Sequence, residues 1–139
     1  MSILSPGCVL APVDFSDESM AAVAEARAMV DDPAKLHVIH VLAVMNVAEP
    51  GIIWETIDDA SRIEHATKAL REKFADATID VKIGDPAHEI ADYAEKIDAE
   101  LIVLPSHGRN ALTRFLIGST AERVVRLAHC PVLVLKPRK

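Results

Sequence analysis

Small and polar residues that could hold a phosphate group are concentrated in the segment PSHGRNALTRFLIGST, residues 105–120. The chain has only five glycines, and Gly108 and Gly118 both lie in this segment. Glycine lets a backbone approach a ligand closely, and the unpaired N–H groups at a helix start attract anions. Because Ser119 and Thr120 open a predicted helix, the segment is typical of a phosphate cradle. The alternative is structural: Gly108 serves a turn and Ser119 caps the helix.

Asp14 is the second residue that could do chemistry, since it directly follows a predicted strand. Its carboxylate either caps the next helix beside Ser16 or accepts hydrogen bonds from ribose hydroxyls. The residue types leave both interpretations open.

The histidines and cysteines indicate neither catalysis nor a metal site. His37 and His40 lie three apart on a strand and point to opposite faces, and no Cys/His spacing suits zinc. His107 lies in the cradle but has no recognisable nucleophile and base around it, so we expect a hydrogen-bonding loop histidine. Cys8 and Cys130 are expected to be reduced and in or near the core.

Strands and helices alternate along the chain, and they must position these residues. The strand-length runs are rich in Val, Ile and Leu without in-out alternation, which is typical of a parallel sheet covered on both faces. Predicted strands are 8–13, 36–44, 78–83, 101–104 and 132–135, and predicted helices are 17–30, 57–75, 86–96 and 119–128. The pattern predicts a single α/β domain over residues 1–139: a doubly wound, five-stranded parallel sheet with helices on both faces. Such sheets bind ligands outside the carboxyl ends of the strands.

Composition excludes several functions. The 139 residues suit one domain, and the net charge of −6 argues against binding nucleic acid through a basic surface. No stretch approaches the roughly 20 apolar residues of a membrane span, and the first residues lack a signal-peptide layout. We therefore expect a cytoplasmic protein. A phosphoacceptor receiver domain would suit Asp14 and Lys136, but it needs an acidic residue where the third strand ends in Ile83 and Gly84.

Together these positions resemble the universal stress protein family over essentially the whole chain. The matching motifs are Val13, Asp14 and Ser16; His40 and Val41; Gly84, Asp85 and Pro86; and the closing run from Cys130 to Val134. The nucleotide-binding branch adds a pattern of Gly, two residues, Gly, nine residues, Gly, then Ser or Thr. Gly108, Gly118 and Ser119 match its later positions, whereas Pro105 replaces the first glycine.

The resemblance implies an ATP-binding, dimeric stress-response protein with strand order 3-2-1-4-5. The nucleotide would lie between the ends of the first and fourth strands. Asp14 would hold the ribose or adenine side, Val41 would contact the base through its backbone, and phosphates would be surrounded by Gly108, Gly118, Ser119 and Thr120. Pro12 and His107 lie in matching loop positions. The ligand would be ATP, ADP or AMP, with Mg or Mn held through phosphate oxygens.

Pro105 is the departure from the pattern, because proline has no N–H and a fixed φ. We expect it to weaken nucleotide binding without abolishing it. The predicted function is nucleotide binding in stress response or signalling through a nucleotide-dependent homodimer, with ATP hydrolysis too slow for an enzyme. The last strand, residues 132–135, is the expected dimer edge. The alternative is a dimeric interaction module that binds no nucleotide.

Overall fold

The computed structural model describes residues 4–44, 58–107 and 117–136. Five parallel strands form one sheet in the order β3-β2-β1-β4-β5. The strands are β1 Val9–Pro12, β2 Leu36–Leu42, β3 Thr78–Ile83, β4 Leu101–Pro105 and β5 Val132–Leu135. The helices are α1 Asp17–Met29, α2 Asp59–Lys73, α3 Pro86–Lys96 and α4 Ser119–Leu127, with a short 3-10 helix at Pro33–Lys35. The predicted fold class and strand order are confirmed.

Apolar side chains on both faces of each inner strand explain the two helical layers. In β1, Val9 and Ala11 join a cluster with α1 and α2, whereas Leu10 joins a cluster with α3 and α4. All three residues are fully buried. The absence of in-out alternation in the sequence therefore reflects a sheet covered on both sides.

Three of the helices begin with a side-chain cap, and the sequence predicts two of these caps, at Ser16 and Asp85. Ser16, Asp58 and Asp85 each accept a hydrogen bond from the backbone N–H three residues on, at the starts of α1, α2 and α3. Gly84, just before Asp85, has φ +155°, and a Cβ there would lie 2.7 Å from the Glu89 carboxylate. The positive φ therefore favours glycine at the turn between β3 and α3, and any larger residue would also have to displace the Glu89 side chain.

Most element boundaries agree with the sequence prediction to within one residue, and one element was not predicted. The larger differences are of two residues: β2 ends at Leu42, where 44 was expected, and α2 spans Asp59–Lys73, where 57–75 was expected. The 3-10 helix was not predicted; the Asp32 side chain accepts from the Ala34 N–H, and Pro33 supplies the fixed φ of its first turn. The irregular stretch expected at 45–56 lies outside the described residues.

β1 and β4 separate near their carboxyl ends. β1 pairs with β2 at four positions, up to Pro12 opposite Ile39, but with β4 at only two, the last being Leu10 opposite Ile102. Both strands end in a proline, Pro12 and Pro105, and neither proline has an N–H with which to extend a ladder. A crevice therefore opens where the winding direction of the sheet reverses.

Both cysteines are free, and they lie on either side of β4. The Glu100 N–H donates to the Cys8 carbonyl at 2.8 Å, and Pro131, next to Cys130, accepts from Ile102 at 3.0 Å. Strands two apart in a sheet are separated by roughly 9–10 Å, beyond the Cα separation that a disulfide permits. Burial raises the pKa of both thiols, which disfavours the reactive thiolate.

Within the described residues, no helix is both long and apolar enough to pass through a membrane.

Candidate functional site

A cavity of about 530 Å³ occupies the crevice between β1 and β4. Its walls also include the end of β2 and the starts of α3 and α4. The volume lies within the range of small-molecule sites. The predicted residues on its walls are Pro12, Asp14, Val41, Pro105, Gly118, Ser119 and Thr120. The fold thus brings together residues from four separate segments of the sequence.

Asp14 is fixed by the tight turn between β1 and α1. Its Oδ1 accepts a hydrogen bond from the Ser16 N–H at 3.0 Å and another from the Ser16 hydroxyl. Its own N–H donates to Ser19 Oγ at 3.2 Å. The turn requires φ +64° at Phe15, in the left-handed region that a bulky residue rarely adopts. These bonds hold the turn in that strained conformation and keep Asp14 at the cavity.

His40 supports the same turn from the neighbouring strand. Its Nδ1 lies 2.7 Å from the Val13 carbonyl oxygen, so this nitrogen carries the proton and donates. The Phe15 ring packs edge-on against the imidazole, with 4.8 Å between ring centroids. In the motif of His40 and Val41, the histidine therefore holds the turn while Val41 lines the cavity.

The start of α4 is the positive side of the cavity. Gly118 is its N-cap and makes no side-chain capping bond, in contrast to the capping residues of α1, α2 and α3. Among the described residues, the N–H groups of Ser119, Thr120 and Ala121 have no assigned acceptor, and all three residues line the cavity. Unpaired N–H groups and the helix dipole make such an end attractive to anions.

Gly118 has an ordinary backbone conformation, with φ −62° and ψ 154°. Any residue can adopt these angles, so the glycine is not required for its conformational freedom. Its N–H donates to the Ser106 carbonyl at 2.6 Å, so anion donors must begin at Ser119. The interpretation of Ser119 as the cap is wrong, because Ser119 is the first helical residue.

Ser106 is a cavity residue that the sequence analysis missed. It is 2% exposed; its N–H donates to the Leu135 carbonyl at 2.8 Å, and its carbonyl accepts from Gly118. Ser106 thus links the end of β5 to the start of α4. Because Ser106 lies inside the 105–120 segment, its sequence position could have indicated that it lines the cavity.

His107 is buried beside the cavity and is not among the residues that line it. Its Nδ1 lies 3.0 Å from Ser106 Oγ, and its Nε2 has no partner among the described residues. His107 therefore makes a hydrogen bond within the protein, and a contact between His107 and a ligand stays a prediction. Gly108 lies outside the described residues.

The start of α3 supplies an apolar wall through Pro86 and Ile90, which the sequence analysis also missed. The cavity therefore combines apolar surfaces, one carboxylate at Asp14 and one positive helix start at α4. In the described part of the chain, no group of three His, Cys, Asp or Glu side chains could hold a metal ion. The arrangement suits a ligand with a flat apolar part, hydroxyl groups and an anionic end.

The fold and cavity define a doubly wound α/β protein with a cavity at the switch point of its sheet, the position at which such sheets bind ligands. The model of the universal stress protein family matches residues 8–136. The chain belongs to the universal stress protein family.

Individual relatives agree with this assignment. Universal stress protein MJ0531 of Methanocaldococcus jannaschii is 36% identical over 141 residues, covering 94% of this chain and 82% of the relative. The structure of the universal stress protein UspA from Lactobacillus plantarum is 30% identical, with a TM-score of 0.73 and coverage of 97% of this chain and 99% of that chain. A universal stress protein solved in complex with cAMP shares the fold at 20% identity, with a TM-score of 0.65 over 94% and 97% of the two chains.

Proposed function

We propose that this protein binds ATP, or ADP or AMP, in the cavity between β1 and β4. We further propose that it acts in the cytoplasm, in stress response or signalling, as a nucleotide-dependent homodimer rather than as an enzyme. The observation that carries the proposal is the start of α4, which has no side-chain cap and faces a mostly apolar cavity that also contains the Asp14 carboxylate.

In this proposal the phosphates, the ribose and the base of the nucleotide each contact a different part of the cavity. Phosphate oxygens accept hydrogen bonds from the N–H groups of Ser119 and Thr120, each charge-assisted bond contributing roughly 1.5–3 kcal/mol. The carboxylate of Asp14 accepts from ribose hydroxyls. The base lies against the end of β2, where Val41 offers its backbone, and against the apolar wall of Ile90. A divalent cation would be Mg or Mn, held through the phosphates.

A homodimer through β5 is supported by the burial of this edge strand, because one of its faces packs against the core and the other leaves Leu133 exposed. Val132 and Val134 pack against the cluster beneath α4. Leu133 points to the opposite face and is 37% exposed, which is unusual for a large apolar side chain on a strand. Edge strands with apolar faces favour pairing with a second chain. The link through Ser106 joins this strand to the cavity and supports nucleotide dependence of the dimer.

Pro105 favours the alternative function, an interaction module that binds no nucleotide, because it removes one N–H from the cavity wall. Calorimetry separates the two. We expect wild type to bind ATP with a dissociation constant on the order of micromolar, and Pro105→Gly to bind up to about tenfold more tightly. If wild type gives no heat with ATP while Pro105→Gly binds it, the protein is an interaction module, and Pro105 is the residue that prevents nucleotide binding.

ATP turnover is expected to be below about one per minute, against a median of about 10 per second for enzymes. The reason is that no histidine lines the described cavity walls, and the Asp14 Oδ1 already accepts two hydrogen bonds from Ser16. Phosphate release from purified protein is the measurement. Turnover at ordinary enzyme rates that disappears in Gly118→Val would contradict a binding function.

A further inference from the structure

An ion pair joins the N-cap of α3 to the middle of α4, and both helices carry residues that line the cavity. Arg123 Nη1 lies 2.8 Å from Asp85 Oδ1, and Arg123 Nη2 lies 2.8 Å from Asp85 Oδ2. Asp85 is the N-cap of α3, and Arg123 lies one turn after Thr120 in α4. Most surface ion pairs contribute little, but a bidentate Arg–carboxylate fork is the geometry that contributes most.

His88 completes the cluster from the first turn of α3. Its Nδ1 lies 2.7 Å from Asp85 Oδ2 and 3.2 Å from Arg123 Nη2. The Arg123 guanidinium, followed by His88, holds the pKa of the Asp85 carboxyl well below its usual value. Asp85 is therefore ionised at neutral pH and carries the negative charge that the fork with Arg123 requires.

Both helices joined by this fork carry cavity residues. Pro86 and Ile90 of α3 and Thr120 and Ala121 of α4 all line the cavity. Because Gly118 supplies no side-chain cap, the first turn of α4 is fixed from other elements: by the Gly118 N–H on Ser106, and one turn later by Arg123 on Asp85.

We propose that the Asp85–Arg123 fork is a positioning clamp that sets the N–H groups of α4 at the distance a phosphate requires, and thereby selects ligands that carry phosphate. The inference rests on the proposed nucleotide function. Arg123 is not among the residues that line the cavity, so in this proposal it acts through Asp85 and the position of α4 and not by contact with the ligand. Loss of the clamp should weaken ATP binding and leave adenosine binding nearly unchanged.

The test compares ATP and adenosine affinities by calorimetry for Arg123→Gln, Asp85→Asn and the double variant. Asn is as good an N-cap as Asp, so Asp85→Asn removes the ion pair while keeping the cap of α3. Each single variant should weaken ATP binding roughly fivefold to tenfold, with adenosine affinity within about twofold of wild type. The double variant should be no weaker than either single one, since both remove the same interaction.

Arg126→Gln is the matched control, because it removes the same charge from the same helix. Arg126 pairs with Glu122 within α4, at 2.7 Å, and has no ion pair with another element in the described part of the chain. Its ATP affinity should equal that of wild type; a loss equal to that of Arg123→Gln would mean that net charge alone explains the effect.

Other results would overturn the clamp in distinguishable ways. If Asp85→Asn binds ATP as well as wild type or better while Arg123→Gln binds it weakly, Arg123 is itself a phosphate ligand. If ATP and adenosine weaken equally, the pair only stabilises the fold. If wild type binds ATP and neither single variant differs from it, the clamp is wrong and the proposed function stands. If wild type does not bind ATP, both fail.

Discussion

Gly118→Val is expected to abolish ATP binding, with an affinity loss of at least about 100-fold. The valine side chain would enter the cavity beside the first N–H groups of α4 and exclude the phosphates from them. The backbone at 118, with φ −62° and ψ 154°, suits valine, so the fold should survive. Valine is a poorer N-cap than glycine, at a cost of under about 1 kcal/mol of stability. Calorimetry with ATP and thermal unfolding measure the two effects.

Gly118→Asp separates loss of binding from loss of folding more sharply. An aspartate N-cap would accept from the first turn of α4, as Asp58 and Asp85 do for α2 and α3. The free energy of unfolding should stay equal or rise by a few tenths of a kcal/mol, while ATP binding is lost to the competing carboxylate. Normal ATP binding by Gly118→Asp would show that these N–H groups do not hold the phosphates.

If the protein is the homodimer proposed above, Leu133→Lys is expected to convert it into monomers. Leu133 is the exposed large residue of β5, and lysine on an edge strand opposes pairing with a second chain. Sedimentation measures the mass. Val125→Lys, at a residue of α4 that is 50% exposed, is the control and should remain dimeric. Lysines at Val132 and Val134 are less informative, since both side chains pack against the core cluster. An unchanged dimer mass in Leu133→Lys would exclude this interface.

The sheet was predictable from sequence because its signals are local. Runs such as Leu101 to Leu104 lack polar alternation, which only burial on both faces explains, and Ser16 and Asp85 mark helix starts through side-chain caps. The strand order came from the resemblance to the family, because periodicity within a strand carries no information about its neighbours.

The site was predictable only in part, because its remaining features depend on tertiary contacts. Pro86 and Ile90 reach the cavity since α3 crosses the sheet beside α4, and no local pattern reports that crossing. The left-handed backbone conformation of Phe15 is stabilised by a ring contact with His40, which lies on another strand. Gly118 was expected to donate to phosphate, but its N–H is used by Ser106, twelve residues earlier in the chain.

Amide chemical shifts during an ATP titration report whether an adenine nucleotide binds with its phosphates at the start of α4. We expect the largest shifts at Ser119, Thr120 and Ala121, together with Val41 at the base end. With adenosine, the Val41 shift should remain and the α4 shifts should be small. Absent shifts at saturating ATP, or shifts confined to the exposed surface of α2 around Lys68, would contradict nucleotide binding in this cavity.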